Sequence, residues 1–176
     1  MDRAAGDEPV DRGFESLQAY VFLYAMNDNF YMQEALKEAF KAQDKDEVPI
    51  GAIIVYQNKI IARAHNQVRM LKDPTAHAEI LAITQAADYL KYERLNGCDI
   101  YVTIEPCIMC AGALILARVD RLIYGASDNR QGAFGSLLDI TKYKDTHHKI
   151  KVEKDVLRED CAFLVQSFFR EKRVTT

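Results

Sequence analysis

Two short stretches of the sequence carry side chains that could bind a metal ion and move protons. The first supplies the imidazole of His77 and, two residues later, the carboxylate of Glu79. The second supplies the thiols of Cys107 and Cys110, directly after a proline. One histidine and two cysteines are ligands that Zn²⁺ accepts. Structural zinc sites are closed by four protein ligands, whereas catalytic sites keep one position open for water. Three ligands beside a glutamate therefore predict a catalytic zinc site.

The order of these residues is a known pattern. His-x-Glu followed by Pro-Cys-x-x-Cys is the signature of the zinc-dependent nucleobase deaminases, in which the glutamate moves protons and is not a ligand. Each half alone is weak evidence, because Cys-x-x-Cys also occurs in redox pairs and zinc ribbons. The alternative is that His77 and the two thiols are core residues and that Glu79 is an exposed helix carboxylate. That alternative leaves the proline as a coincidence.

The spacing of the four groups indicates how they could meet. Cys107 and Cys110 are three residues apart, which places both on one face of a helix with Pro106 in its first turn. The thiols then lie near the positive end of the helix dipole, which favours the thiolate. His77 and Glu79 do not share a face within a helix, but side chains lean toward the helix N-terminus. We therefore expect His77 to bind the metal and Glu79 to stop short of it.

Composition is typical of one globular domain. Of 176 residues, 49% are hydrophobic and 28% charged, which is ordinary for a soluble protein. The sequence offers no membrane-spanning run and no secretory signal. Four cysteines that include a Cys-x-x-Cys pair favour metal ligation in a reducing compartment, so we expect a cytoplasmic protein. The net charge of −3 does not by itself indicate a nucleic-acid partner, although residues 142–176 have a basic excess.

Apolar periodicity predicts the order of the elements. Residues 1–28 are expected to form an extension, partly disordered or a docking helix, and residues 29–176 the zinc-dependent domain. The predicted elements follow in chain order: a helix over 29–42 with Asp28 as candidate N-cap, a hairpin over 52–64, a polar loop over 66–75, a helix over 77–92, a strand over 99–104, a helix ending near 118, a strand over 121–124, a short helix from 136, a weak strand over 150–153 and a helix over 159–172. This order predicts an α/β fold, a three-layer α/β/α sandwich around a mixed sheet.

Beyond the zinc motifs, the sequence resembles the bacterial tRNA-specific adenosine deaminases. The likeness covers roughly residues 30–173, and its strongest segments are Asn66, residues 73–80, residues 101–113 and residues 124–139. The zinc motifs alone are shared with cytidine and guanine deaminases. The Gly-Ser-Leu-Leu-Asp run at 135–139 and the Phe-Phe-Arg run at 168–170 are similar to the tRNA branch.

The resemblance implies a cytidine-deaminase-like fold and a specific reaction. The family converts adenosine to inosine at the wobble position of tRNA anticodons, by a zinc-activated water, and its bacterial members are homodimers. One Zn²⁺ per subunit would be held by His77, Cys107 and Cys110, and Glu79 would transfer protons. The anticodon stem-loop of tRNA is the implied partner, and no membrane is involved.

Three further residues match substrate contacts of that family. Asn66 matches an asparagine that contacts the flipped nucleotide, Asp128 an aspartate near the anticodon-loop backbone, and Phe169 a residue that packs against the RNA. Each also has a simpler interpretation. Asn66 could be a turn residue that ends a strand, Asp128 could brace its own loop, and Phe169 could be a core residue.

Two other functions remain compatible with the sequence. The first is a zinc-dependent deaminase of a free base or nucleotide, of the guanine or cytosine type. The second is a non-catalytic zinc module in a larger complex. A fourth Cys or His ligand would identify the module, because a structural zinc site is closed.

Overall fold

The structure is a computed structural model that describes residues 12–143 and 146–174, with side chains for 28–143 and 146–173. Its elements follow in chain order: α1 (Arg12–Asp44), β1 (Gly51–Tyr56), β2 (Lys59–His65), α2 (Val68–Leu71), α3 (Ala78–Leu90), β3 (Cys98–Ile104), α4 (Ile108–Ala117), β4 (Arg121–Ala126), a 3₁₀ turn (Ile140–Lys142), β5 (Lys151–Glu153) and α5 (Arg158–Val174). Among the described helices, none is both long enough and apolar enough to cross a bilayer.

The five strands form one mixed sheet in the order β2–β1–β3–β4–β5. β1 pairs antiparallel with both β2 and β3, whereas β3, β4 and β5 are parallel. The hairpin and the strand–helix units predicted from periodicity are therefore present. The parallel pair β3–β4 brings the carboxyl ends of two strands to one edge of the sheet, where ligands bind in open α/β folds.

Alternate residues of the central strands pack on opposite faces of the sheet, as the pleat requires. Ile54 and Leu122 belong to a buried cluster with residues of α3 and α4. Their neighbours Ile53 and Ile123 belong to a second cluster with residues of α1 and α5. Two helical layers thus cover one sheet, which confirms the predicted three-layer α/β/α sandwich.

Helix α1 differs from its prediction. We expected a helix that begins near residue 29 with Asp28 as its N-cap, but α1 begins at Arg12 and runs through this position. The carboxylate of Asp28 instead accepts a hydrogen bond from Tyr101 Oη at 2.6 Å and lies 3.0 Å from Arg121 Nη2. Aspartate favours helix ends, but the carboxylate of Asp28 has its hydrogen-bond partners on β3 and β4 and so lies within the helix. Residues 1–11, part of the predicted extension, lie outside the described residues.

Two local predictions after β1 also need correction. The loop expected over residues 66–75 contains the single-turn helix α2, whose Met70 N–H donates to the Glu47 carboxylate at 2.7 Å. The helix expected from residue 136 is a 3₁₀ turn that begins at Ile140. Both short elements depend on contacts that apolar periodicity does not report.

Candidate zinc centre and substrate groove

The candidate metal ligands lie at the N-termini of two neighbouring helices. His77 is the N-cap of α3 with φ −72° and ψ 153°, and Cys107 is the N-cap of α4 with φ −71° and ψ 173°. The two helices are in contact with each other. Pro106 lies directly before Cys107, the N-cap of α4. The prediction that Pro106 belongs to the first turn of the helix is therefore wrong, because the helix begins after it. Cys110, one turn into α4, completes the group.

The spacing of the three donor atoms fits a zinc ion. The Nδ1 atom of His77 lies 3.7 Å from Cys107 Sγ and 3.5 Å from Cys110 Sγ. In a tetrahedral site with usual Zn–S and Zn–N bonds, sulfur and nitrogen ligands are about 3.6 Å apart. Within the part of the chain that the structure describes, no fourth His, Cys, Asp or Glu donor joins the group. The donor set is therefore that of an open site.

Hydrogen bonds among the three donor groups shift their pKa values. The pKa of Cys107 is lowered to about 4, chiefly because its sulfur accepts a hydrogen bond from the Cys110 thiol and also contacts His77. The same hydrogen bond, together with burial, raises the pKa of Cys110. Contact with the Cys107 sulfur raises the pKa of His77. Since a metal ligand must be deprotonated, binding of zinc here would release protons.

Glu79 lies beside this group but is not part of it. It is the second residue of α3 and is only 2% exposed. Burial raises the pKa of its carboxyl group. Its Oε2 atom is buried and has no hydrogen-bond partner among the described residues, although buried polar atoms are rarely left unpaired. A buried carboxylate oxygen of this kind suits a group that exchanges a proton with a bound water or substrate.

His77 opens onto a groove of about 1070 Å³ between the carboxyl ends of β3 and β4, α2 and α5. Asn66, Asp128 and Phe169 all line this groove, so the structure brings the three predicted substrate residues to one surface. Four basic side chains also line it: Arg69, Arg130, Arg170 and Arg173. Its volume lies at the upper limit for small-molecule pockets, which usually enclose about 300–1,000 Å³.

Two of these residues also have structural contacts. Asp128 Oδ1 accepts hydrogen bonds from the backbone N–H groups of Arg130 at 2.8 Å and Gln131 at 3.3 Å, so this carboxylate braces its own loop. Phe169 is 40% exposed and packs edge-on against buried Phe168, with ring centroids 5.5 Å apart. One face of Phe169 therefore contacts the protein while the residue still lines the groove.

Glu105, which no sequence motif marked as functional, organises the loop at residues 127–136. This carboxylate is 2% exposed and accepts from the backbone N–H groups of Phe134 at 2.8 Å, Asp128 at 3.1 Å and Ser136 at 3.2 Å. It also accepts from the hydroxyl of Ser136. A Cβ atom at Gly132 would lie 2.4 Å from Glu105 Cδ, so only glycine fits there. The one available signal was an acidic residue directly after a buried strand, since a buried carboxylate requires donors.

Comparison with known proteins agrees with this geometry. A family model described as MafB19-like deaminase matches residues 26–173, which defines the class of the protein. A tRNA-specific adenosine deaminase of Bacillus subtilis (strain 168) is 46% identical over 83% of this chain and 91% of the relative. The protein of the same name from Aquifex aeolicus (strain VF5) is 45% identical over 84% of this chain and 97% of the relative.

A solved structure from a study of A-to-I editing by tRNA:A34 deaminases at the wobble position of transfer RNA is also similar. It has a TM-score of 0.75 and 44% sequence identity, over 77% of this chain and 98% of that chain. The chain belongs to the family of tRNA-specific adenosine deaminases.

Removing the Glu105 carboxylate should loosen the 127–136 loop. Glu105→Ala leaves the buried N–H of Phe134 without an acceptor, which costs about 1–3 kcal/mol, and it also removes the acceptor of the partly buried donors of Asp128 and Ser136. We expect amide hydrogen exchange over residues 128–136, measured by mass spectrometry, to accelerate at least about tenfold. Ser136→Ala removes a single hydroxyl donor and should accelerate exchange much less. Equal exchange in Glu105→Ala and the unmodified protein would contradict this role.

Proposed function

We propose that the protein hydrolytically deaminates adenosine to inosine at the wobble position of tRNA anticodons. Water adds at C6 of the base and the exocyclic amine leaves, so adenosine and water give inosine and ammonia. The observation that carries this proposal is a group of three candidate metal donors that opens onto a wide groove and has beside it a buried carboxylate with one unpaired oxygen. The names of relatives about 45% identical over most of the chain support tRNA as the substrate.

The residues fit a resident zinc ion, one per subunit, held by His77, Cys107 and Cys110. When bound, zinc supplies Lewis acidity that lowers the pKa of a water ligand from its value in bulk solvent toward about 7. Glu79 takes one proton from the attacking water and passes it to the ring nitrogen. It then takes the remaining proton from the hydroxyl group at C6 and passes it to the amine, which leaves as ammonia while the C6–O group becomes the carbonyl of inosine. Its raised pKa suits this role, because a group that gives and takes protons works best with a pKa near the operating pH.

The groove accommodates a nucleotide that has left its stack. Flipping a base costs least where it is already unpaired, as in an anticodon loop. Asn66 contacts the flipped nucleotide, Asp128 lies near the loop backbone and Phe169 packs against the RNA. The arginines of the groove contact phosphates, which position a nucleic acid without reading its sequence. A free guanine or cytosine would fill only a small part of this volume, so the free-base alternative is less well supported.

We also infer that the enzyme is a cytoplasmic homodimer. Ile108, Gly112 and Leu116 lie four residues apart on α4 and so share one face of the zinc-site helix. Ile108 is 53% exposed and Leu116 is 76% exposed, while a Cβ atom added at Gly112 would meet no atom within 4 Å. An exposed apolar stripe on this helix supports a subunit contact.

The family match from residue 26 supports residues 29–176 as the catalytic domain, with 1–28 as an extension.

The oligomeric state should respond to a charge placed on the α4 stripe. The unmodified protein is expected to show twice the mass of one chain in size-exclusion chromatography with light scattering. Leu116→Arg should shift it to the mass of one chain, because an unpaired charge in an apolar interface is costly. Phe163→Arg alters an apolar residue on α5 that is 68% exposed and should leave the dimer intact. A monomeric mass for the unmodified protein would refute the dimer.

The ligand assignment predicts metal content. Purified protein should contain about one zinc ion per chain by plasma mass spectrometry, because three donors suffice for a catalytic site. His77→Ala and Cys107→Ser should each lose most of this zinc. Cys98→Ala removes a buried thiol outside the group and should retain it. Full zinc content in both ligand variants would show that the metal is held elsewhere.

The reaction itself is tested by incubating the protein with total tRNA and mapping inosine by sequencing. We expect inosine at the wobble position, and a rate about 10²–10⁴-fold lower in Glu79→Gln, because this change removes the proton carrier. Glu79→Gln should still bind zinc. Asp88→Asn, an exposed carboxylate on the same helix, serves as control and should be fully active. Conversion of free guanine or cytosine without tRNA editing would favour the alternative function.

A further inference from the structure

Asn66, the residue assigned above to the flipped nucleotide, is held from behind by Glu47. Glu47 lies in the connection between α1 and β1 and is 1% exposed, while Asn66 follows β2 and is 4% exposed. The Nδ2 atom of Asn66 donates a hydrogen bond to Glu47 Oε2 at 3.1 Å. Both residues line the same groove as His77. No motif in the sequence points to this contact between residues 19 positions apart.

The second oxygen of Glu47 is also occupied. The backbone N–H of Met70 in α2 donates to Glu47 Oε1 at 2.7 Å. An ionised carboxylate has acceptors only, so the side-chain amide of Asn66 must turn its NH₂ group toward it. The orientation of this amide, which shape alone does not determine, therefore follows from the chemistry of its partner.

With the NH₂ group of Asn66 turned toward Glu47, the carbonyl oxygen Oδ1 is left for the substrate. Within residues 28–143 and 146–173, Asn66 Oδ1 has no hydrogen-bond partner, yet it is not among the buried unpaired atoms. The carbonyl oxygen is thus accessible from the groove that Asn66 lines. We propose that Glu47 is a positioning residue that fixes the Asn66 amide with its carbonyl oxygen toward the target nucleotide, as an acceptor for a donor of that nucleotide. This inference rests on the proposed function.

Correct orientation matters because the two ends of an amide have opposite hydrogen-bonding character. Rotated by half a turn, Asn66 would present a donor to the donor of the substrate, and the contact would be lost. A site built to accept a hydrogen bond discriminates strongly against a partner that does not supply one. Glu47→Gln is the sharpest perturbation, since it keeps the shape of the side chain but can itself donate to Asn66 Oδ1 and favour the reversed amide.

The test is a double-mutant cycle on the holoenzyme with an anticodon stem-loop as substrate. Glu47→Gln and Asn66→Ala should each lower kcat/KM about tenfold, roughly the value of one hydrogen bond. If Glu47 acts through Asn66, the double variant should be no slower than Asn66→Ala alone. Zinc content should be unchanged in all three variants. Asp44→Asn, the same change of charge at an exposed position three residues earlier, should leave kcat/KM unchanged.

A measurement independent of activity keeps the inference testable on its own. The side-chain NH₂ resonances of Asn66 in a ¹⁵N NMR spectrum should shift in Glu47→Gln and stay in place in Asp44→Asn. Multiplicative losses in the double variant, or an unmoved Asn66 signal in Glu47→Gln, would overturn the positioning role. Absence of inosine formation by the unmodified protein would instead contradict the proposed function, and the NMR result would still test the contact between Glu47 and the Asn66 amide.

Discussion

The coincidence of two helix N-termini at one point is the constraint on which the rest of the structure depends. α3 and α4 pack on the same face of the sheet and present their N-cap residues, His77 and Cys107, to each other. The buried residues of α3 include three alanines, Ala78, Ala82 and Ala86, which let the helix backbone approach its neighbours closely. The mixed sheet fixes where each helix begins. The candidate metal ligands are therefore brought together by the sheet and its two helices and not by a loop.

Three buried glutamates near this point, Glu47, Glu79 and Glu105, differ in their hydrogen bonding. Glu47 and Glu105 have both oxygens occupied by hydrogen-bond donors, and each holds a wall of the groove in place. Glu79 keeps a buried oxygen without a partner. Since buried polar atoms are nearly always satisfied, this unpaired oxygen supports the proposed role of Glu79 in proton transfer. Similar residues thus have different roles because the backbone around them offers different numbers of donors.

The sequence predicted most of the fold because apolar periodicity is a local property. The β1–β2 hairpin, the buried strand β3 and the order of strand and helix all followed from it. The metal ligands and Glu79 followed from a short pattern with fixed spacing, although their roles in this chain stay predictions. The class of protein followed from longer resemblance and is confirmed by the relatives.

Features that depend on distant partners could not be predicted in this way. Asp28 lies within a helix because Tyr101 and Arg121, far along the chain, bind its carboxylate. The single turn of α2 and the orientation of Asn66 both depend on Glu47, which no local pattern connects to them. In each case a long-range hydrogen bond overrides or supplements the local preference of the residue.

X-ray absorption at the zinc edge of the purified protein tests the proposed ligand set, because it counts and identifies the atoms bound to the metal. We expect two sulfur neighbours at about 2.3 Å, one imidazole nitrogen at about 2.0 Å and one light atom from solvent. The sulfur signal should fall by half in Cys110→Ser. A shell of four protein ligands, or one without sulfur, would contradict an open centre built from His77, Cys107 and Cys110.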